Sequence, residues 1–218
     1  MKNIIKYFCA GVAGLLVCAG LVYAEINDDL VQAAKNGDTK SVEVLLAKGA
    51  DINAKSPAEH SRTPLLAAIL KEHPDVAKLL IAKGADVNIT DEGGMTTLMF
   101  AAQSGQTEIA SLLLEKGANV NAVNPSGTRA IGSAAIFGHY DIVKTLLEKG
   151  AEVDVKDQWS ITILMEAVDG GNIEVVKAIL AKKPNINAVT INGKTALSQA
   201  REKGNSEIVQ LLIDAGAK

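Results

Sequence analysis

Cysteine, histidine and aromatic residues are all scarce in this chain. The two cysteines, Cys9 and Cys18, lie close to the N-terminus, and 218 residues include only three histidines. A chain without cysteine after residue 24 has no thiolate nucleophile there. The histidines, His60, His73 and His139, are not spaced as pairs of metal ligands. No triad or phosphate-binding motif is present either, so the sequence predicts neither an enzyme nor a cofactor or metal site.

Basic residues are also too few for a nucleic-acid partner. The chain has 22 lysines and arginines against 25 acidic residues, and two of the lysines are Lys2 and Lys6. Without them the remainder is more acidic still. Because phosphate binding requires a basic surface, this balance disfavours DNA or RNA as a partner.

The N-terminal segment differs from the rest of the chain. Lys2 and Lys6 precede an uncharged segment, residues 7–24, that is rich in Ala, Gly, Leu and Val. Val22 and Ala24 suit the positions before a cleavage site. This pattern predicts a signal peptide over residues 1–24, and hence a periplasmic location or secretion. An uncleaved membrane anchor is the alternative, because about 18 uncharged residues just reach the length of a membrane span.

A motif recurs through the rest of the chain with a period of about 33 residues. It reads Leu-Leu-x-x-Gly-Ala-Asp-x-Asn in its clearest form, and it ends a helix before a turn. The glycine of this motif stands at Gly49, Gly84, Gly117, Gly150 and Gly216, with Lys183 in the matching position of the fifth unit. Such a period predicts a stack of similar small units rather than one globular core.

The third unit shows how each unit is expected to fold. Thr96 is a typical N-cap for a short helix that ends near Gly105. A second helix is predicted over residues 108–116, and Gly117 follows it, where a left-handed conformation favours glycine. Turn residues fill the segment 119–127. Each unit is therefore predicted to contain a helix, a turn, a second helix and a protruding loop.

These motifs make the chain similar to the ankyrin-repeat proteins. The segment from Thr63 through Pro64 and Leu65 to Ala68 resembles the family's Thr-Pro-Leu-His-x-Ala signature, although no copy in this chain keeps the histidine. The resemblance implies an all-α solenoid with hairpin-like loops. It gives one domain over residues 25–218, with six repeats at approximately 28–61, 62–94, 95–127, 128–160, 161–193 and 194–218.

Two departures from the pattern predict local weakness in the fourth and fifth units. Gly132 lies inside a predicted helix, and Lys183 replaces the glycine that would adopt the left-handed conformation. Each costs roughly 1 kcal/mol. Glu166 and Asp169 share one short helix, and the simplest interpretation places both carboxylates in solvent. His73 and His139 are interpreted as structural turn residues.

The resemblance implies that a protein partner contacts the loop tips and the exposed side of each first helix. Aligning the repeats gives candidate partner-binding residues Met95, Gln103, Thr128, Ile136, Phe137, Gln158, Trp159 and Ile161, and the sixth unit adds Ile191, Asn192, Lys194, Glu202 and Lys203. Among them Trp159, Phe137 and Ile136 are large and apolar at positions that are usually polar. Such a cluster is typical of an interface hot spot. Alternatively, Phe137 and Trp159 pack on each other to brace the loop.

The resemblance leaves the partner open. Exported bacterial relatives imply an adaptor that holds a periplasmic stress enzyme such as a catalase, or an immunity protein that binds a toxin. A secreted effector directed at a host is the other class. A capped stack is expected to be a monomer, and contact with a membrane is expected only if the N-terminal segment stays uncleaved.

Overall fold

The computed structural model describes residues 12–56 and 60–218, with side chains described from residue 24 onward. The described chain is all-α, in pairs of short helices that match the predicted units. The helices are α1 Val12–Lys35, α2 Thr39–Ala47, α3 Pro64–Leu70, α4 Pro74–Ala82, α5 Thr97–Gln103, α6 Thr107–Glu115, α7 Ala130–Ile136, α8 Tyr140–Glu148, α9 Ile163–Gly170, α10 Ile173–Leu180, α11 Ala196–Glu202 and α12 Ser206–Asp214. The predicted fold class is therefore confirmed.

The first helices of most units begin at a threonine that caps them. The Thr96 side chain accepts a hydrogen bond from the Met99 backbone N–H, and Thr162 accepts one from Met165 in the same way. Thr63 and Thr195 do the same for α3 and α11. Arg129 occupies this position before α7 and makes no such bond. A missing cap of this kind weakens a helix start by about 1 kcal/mol.

The turn after each second helix requires a positive φ. Gly117 has φ 86° after α6, as the motif predicts. Lys183 has φ 54° at the matching position after α10, so the prediction of a left-handed lysine is confirmed. A side chain in this conformation is strained because Cβ approaches the following carbonyl oxygen.

The described chain forms two compact units that divide between Asp86 and Val87. In the N-terminal unit, α1 packs on α2 and α3, and α4 packs on α2 and α3. Leu30, Leu65 and Leu80 are among the fully buried side chains of this unit. Its core is thus aliphatic, as the thin layers of a helical repeat require.

The C-terminal unit is a longer stack of helix pairs. Helices α5, α7, α9 and α11 pack in sequence as one layer, while α6, α8, α10 and α12 pack behind them as the second. Leu98, Ile131, Ile142 and Leu146 are fully buried between the layers. Each helix buries one face against its neighbours. The loops and the ends of the helix pairs therefore remain available for contacts with a partner.

The asparagine of the repeated motif joins neighbouring repeats within each unit. In the C-terminal unit, the Asn121 side chain accepts a hydrogen bond from the Glu152 backbone N–H at 3.0 Å and donates one to the Gly150 carbonyl at 3.2 Å. The same acceptor role is played by Asn27, Asn53, Asn88, Asp154 and Asn187 toward the following repeat. This ladder explains why the asparagine recurs so regularly in the motif.

The predicted signal peptide falls largely outside the described side chains. Residues 1–11 are not described, and α1 extends from Val12 across the predicted cleavage position after Ala24 to Lys35. Among the described residues, no helix is both long and apolar enough to span a membrane. The boundary after residue 24 stays a prediction.

Candidate protein-binding surface

The C-terminal unit carries an open groove of about 500 Å³ between the loops and helix ends of the last two repeats. We call it the Trp159 groove. Its lining residues are Trp159, Ile161, Asp169, Thr190, Ile191, Asn192, Lys194, Gln199, Glu202 and Lys203. The volume lies in the range of about 300–1,000 Å³ that is typical of ligand-binding clefts.

Two loop tips provide the apolar part of the groove. The Trp159 side chain is 47% exposed and that of Ile191 is 63% exposed, the highest value among the large apolar residues described. The Ile191 backbone N–H donates a hydrogen bond to the Trp159 carbonyl at 3.1 Å. This bond joins the loop before α9 to the loop before α11, so their apolar side chains are held side by side.

A carboxylate holds the loop that carries Trp159. Asp157 Oδ1 accepts hydrogen bonds from the backbone N–H groups of Trp159 and Ile161, at 2.9 and 2.8 Å. An antiparallel bridge between Lys156 and Thr162 closes the loop at its base. The loop is therefore ordered before any partner arrives, which lowers the conformational entropy lost on binding.

The charged side chains of the groove are paired with one another. Lys203 Nζ lies 2.6 Å from the Asp169 carboxylate, and Lys194 Nζ lies 2.5 Å from that of Glu202. The Gln199 side chain also donates to Asp169, at 3.2 Å. These pairs are exposed and contribute little to stability. They leave the groove with no net charge, so a strongly charged ligand gains nothing there.

The groove includes seven of the residues predicted as partner-binding: Trp159, Ile161, Ile191, Asn192, Lys194, Glu202 and Lys203. Ile136 and Phe137 are exposed, at 38% and 56%, but neither lines the groove. The Phe137 ring stacks on His139, with ring centroids 6.4 Å apart. The bracing pair that the structure shows for Phe137 is thus His139, at the start of the next helix, and not Trp159.

Of the other predicted residues, Gln158 lies beside Trp159 on the same loop, and Met95, Gln103 and Thr128 lie on earlier repeats of the same unit. Gln103 and Gln158 are exposed, and Met95 is half-buried with the Asn124 amide 3.4 Å from its sulfur. The Thr128 backbone N–H donates to Asn124 Oδ1 at 2.8 Å. None of these four candidate residues lines the Trp159 groove.

Sequence reasoning placed Ile191 at a loop tip without naming it as an anchor. Its signal was an isoleucine at the aligned position that Gln158, the neighbour of Trp159, occupies one repeat earlier. What the sequence did not show is the backbone hydrogen bond between Ile191 and Trp159. That bond brings the two side chains into one surface.

The histidines at the turns are structural. His139 Nε2 donates to the Gln103 carbonyl at 3.1 Å, and His73 Nε2 donates to the Lys35 carbonyl at 3.0 Å. A Cβ at Gly105 would lie only 2.6 Å from the His139 ring, so the ring fits because that position is glycine. The interpretation of both histidines as turn residues is confirmed. Within the described residues, no group of His, Cys, Asp and Glu is arranged to hold a metal ion.

The expectation that Glu166 and Asp169 are both solvated carboxylates is wrong for Glu166. Asp169 is exposed, whereas Glu166 is partly buried between α9 and α7. A Cβ added at Gly132 would overlap the Glu166 carboxylate, so the glycine makes the space that this carboxylate fills. Burial raises the pKa of Glu166 to about 7, the negative charge of Asp157 adds to this rise, and Arg129 opposes it.

Segments of several larger proteins are similar in sequence to about a third of this chain. A probable E3 ubiquitin-protein ligase XBOS33 from Oryza sativa subsp. japonica is 38% identical over 76 residues, which is 35% of this chain and 15% of that protein. Inversin from Gallus gallus is 38% identical over 73 residues, or 34% of this chain and 6% of that protein. The ADP-ribosylation factor GTPase-activating protein AGD2 from Arabidopsis thaliana is 40% identical over 73 residues, or 34% and 9%.

The chain therefore spans less than a fifth of the length of these relatives. A family model described as ankyrin repeats in three copies matches far more of it, at residues 30–124, 75–157 and 131–218. Taken together, these matches extend from residue 30 to the last residue. The chain belongs to the ankyrin-repeat family.

Proposed function

We propose that this protein-interaction module is a non-catalytic adaptor that binds its protein partner through the Trp159 groove. The observation that carries the proposal is the backbone bond between Ile191 and Trp159, which places two exposed apolar side chains on adjoining loop tips. Exposed tryptophan in such a setting is the residue type that most often dominates binding energy at protein interfaces.

The chemistry of the groove favours an apolar side chain of the partner. Trp159, Ile161 and Ile191 offer aliphatic and aromatic contact. The lysines at positions 194 and 203 are already paired with carboxylates. A charged ligand would have to break these ion pairs in order to bind, so it gains no net ionic interaction in the groove. The occupant we propose is therefore an exposed aromatic or long aliphatic side chain on a folded protein, flanked by neutral polar groups.

We further propose that the protein acts after export, in the bacterial periplasm. The support is the sequence of its first 24 residues, in which Lys2 and Lys6 precede an uncharged segment. Cell fractionation combined with N-terminal sequencing tests this directly. A mature N-terminus at Glu25 in the periplasmic fraction is the expected result, and full-length protein in the cytoplasm would contradict it.

Site-specific crosslinking identifies the partner without assuming its identity. A photoreactive amino acid is placed at Ile191 in the full chain, the crosslinked protein is identified by mass spectrometry, and that protein is then purified. Its affinity for the wild-type chain is compared with that for Trp159→Ala. Removing a hot-spot tryptophan costs at least about 2 kcal/mol, so we expect the Kd to rise roughly 30-fold or more.

Val123 provides a matched control, because it is 51% exposed on a loop and does not line the groove. Val123→Ala is expected to bind the partner as the wild-type chain does. Phe137→Ala separates the groove from the wider cluster, since Phe137 is exposed but lies outside the groove. Equal affinity of the Trp159→Ala and wild-type chains would reject the proposed surface.

A further inference from the structure

We propose that Glu166 is a proton-binding group that controls the position of the loop carrying Trp159. The proton is taken up at the interface of α7 and α9, and its effect reaches the Trp159 groove through Asp157. The regulation of binding rests on the proposed function, whereas the coupling between the proton and the loop does not.

The first support is the recess that receives the Glu166 side chain. Gly132 lies in the middle of α7, and a Cβ there would overlap the Glu166 carboxylate. The equivalent positions of the second, third and fifth repeats hold the large, buried side chains of Leu66, Met99 and Met165. The fourth repeat thus lacks a side chain at one position, and the carboxyl group of the next repeat occupies the space.

The Glu166 carboxylate has no hydrogen-bond or ion-pair partner among the described residues. Arg129 is close enough to influence it electrostatically, yet Arg129 Nη1 donates its hydrogen bond to the Gly127 carbonyl at 3.3 Å. The Arg129 Nε is buried without an acceptor. A partly buried carboxylate without such partners loses part of its hydration and gains little in return, so its neutral form is favoured.

Asp157 connects this site to the loop. Its carboxylate accepts the backbone N–H groups of Trp159 and Ile161 and thereby shapes the loop tip. The same carboxylate raises the pKa of Glu166 by its negative charge. Because electrostatic interactions are reciprocal, ionisation of Glu166 must act on Asp157 in turn.

Few other charges face Glu166 from the elements packed against it. Helix α7 has no ionisable side chain, and on α10 Glu174 and Lys177 pair with each other. On α11, Arg201 is exposed, and Glu202 is exposed and paired with Lys194. On α9 itself, Asp169 pairs with Lys203. Arg129 and Asp157 are thus the charges that act on Glu166.

Two states of the loop follow from this arrangement. With Glu166 neutral, its carboxyl group stays in the recess and Asp157 keeps the loop tip ordered. With Glu166 ionised, two like charges face each other in a partly buried site, and the carboxyl group or the loop must move to relieve the repulsion. The groove is therefore ordered at mildly acidic pH and loosened above neutrality.

Trp159 reports this change without any added label, because it is the only tryptophan in the chain. The purified full-length protein is titrated between about pH 5.5 and pH 8.5 while its fluorescence is recorded. We expect the emission maximum to shift with one midpoint near the pKa of Glu166, about 7. Glu166→Gln is expected to abolish the shift, because glutamine has the shape of the neutral acid and does not titrate.

Two further variants separate the Glu166 titration from other causes. Gly132→Ala fills the recess and pushes the carboxylate toward solvent, so the midpoint is expected to move to lower pH. His139→Asn removes the histidine that stacks on Phe137. Asparagine suits this turn because Asn172, at the matching position of the next repeat, donates a hydrogen bond to the Gly138 carbonyl at 2.8 Å. We expect this variant to keep the wild-type midpoint.

A flat wild-type profile, or an unchanged midpoint in Glu166→Gln, would overturn the proposal. A shift lost in His139→Asn would assign the titration to that histidine and overturn it as well. No partner is present in this titration, so its failure is distinct from a failure of the proposed binding function.

Discussion

Substituting Glu166 by glutamine should change how the stability of the C-terminal unit depends on pH. The pKa of Glu166 is raised from 4.5 to about 7 in the folded chain, chiefly because the group is buried. The folded state therefore holds a proton that the unfolded state has released between these two values. By linkage, the free energy of unfolding falls as the pH rises through this window and levels off above it.

The size of the effect follows from the shift. One pKa unit corresponds to about 1.4 kcal/mol, so raising the pH from about 5 to about 8 removes up to about 2.5 kcal/mol from the free energy of unfolding. Glu166 is only partly buried, and access of solvent reduces this value. We expect a loss of about 1 to 2.5 kcal/mol in the wild-type chain that is absent from Glu166→Gln.

Urea denaturation at several pH values measures this difference. Trp159 lies in the C-terminal unit, so its fluorescence reports the unfolding of that unit. Any contribution that is common to both chains cancels in the comparison. The two chains should agree near pH 5, and the variant should be the more stable near pH 8. Parallel profiles over the whole range would refute the assignment of a raised pKa to Glu166.

Two predictions concern the frame of the repeats. Asn121→Ala removes a bond to Glu152 and one to Gly150, so it should lower the free energy of unfolding by about 1–2 kcal/mol, whereas Asn121→Asp keeps the acceptor and should cost about half as much. Equal losses would show that the accepted bond, which aspartate keeps, contributes nothing. Lys183→Gly relieves a positive φ of 54° and should raise the melting temperature by a few degrees, corresponding to about 0.5–1 kcal/mol. A lower melting temperature would mean that the lysine side chain stabilises the turn.

The repeats could be predicted from sequence because their signals are local. The Thr96 side chain caps α5 by bonding a residue only three positions later. Gly117 ends α6 within a single turn. Each of these features depends on a few neighbouring residues, and six copies of the same pattern reinforce one another. The asparagine of the motif was visible as a regular feature, but its role was not, because Asn121 and Glu152 are 31 residues apart.

The site was harder to predict because it depends on contacts between repeats. When α9 is considered alone, a charged residue such as Glu166 is expected to face solvent. Its burial is decided by Gly132, in the preceding repeat. A comparison of aligned positions could have indicated this, because glycine stands where Leu66, Met99 and Met165 occupy the same position of other repeats. The predicted local weakness at Gly132 considered only the low helix propensity of glycine. It did not include the Glu166 carboxylate of the next repeat, which fills the space beside Gly132.

The loop that carries Trp159 lies between two positions that hydrogen bonds hold in place. On one side, Asp154 accepts a hydrogen bond from the Asn185 backbone N–H at 3.1 Å and belongs to the ladder that joins the repeats. On the other, Thr162 caps α9 by accepting the Met165 N–H at 3.3 Å. We expect the response to the proton in the seven residues between these anchors, 155–161.

A response confined to this loop separates recognition from stability of the stack. The helices on either side stay packed when the carboxyl group of Glu166 ionises, so far-ultraviolet circular dichroism should be the same at about pH 6 and about pH 8 while the emission of Trp159 changes. Identical repeats could not achieve this, because they would place the same side chains in every loop. The departures at Gly132 and Glu166 therefore give one loop of an otherwise regular protein a property of its own.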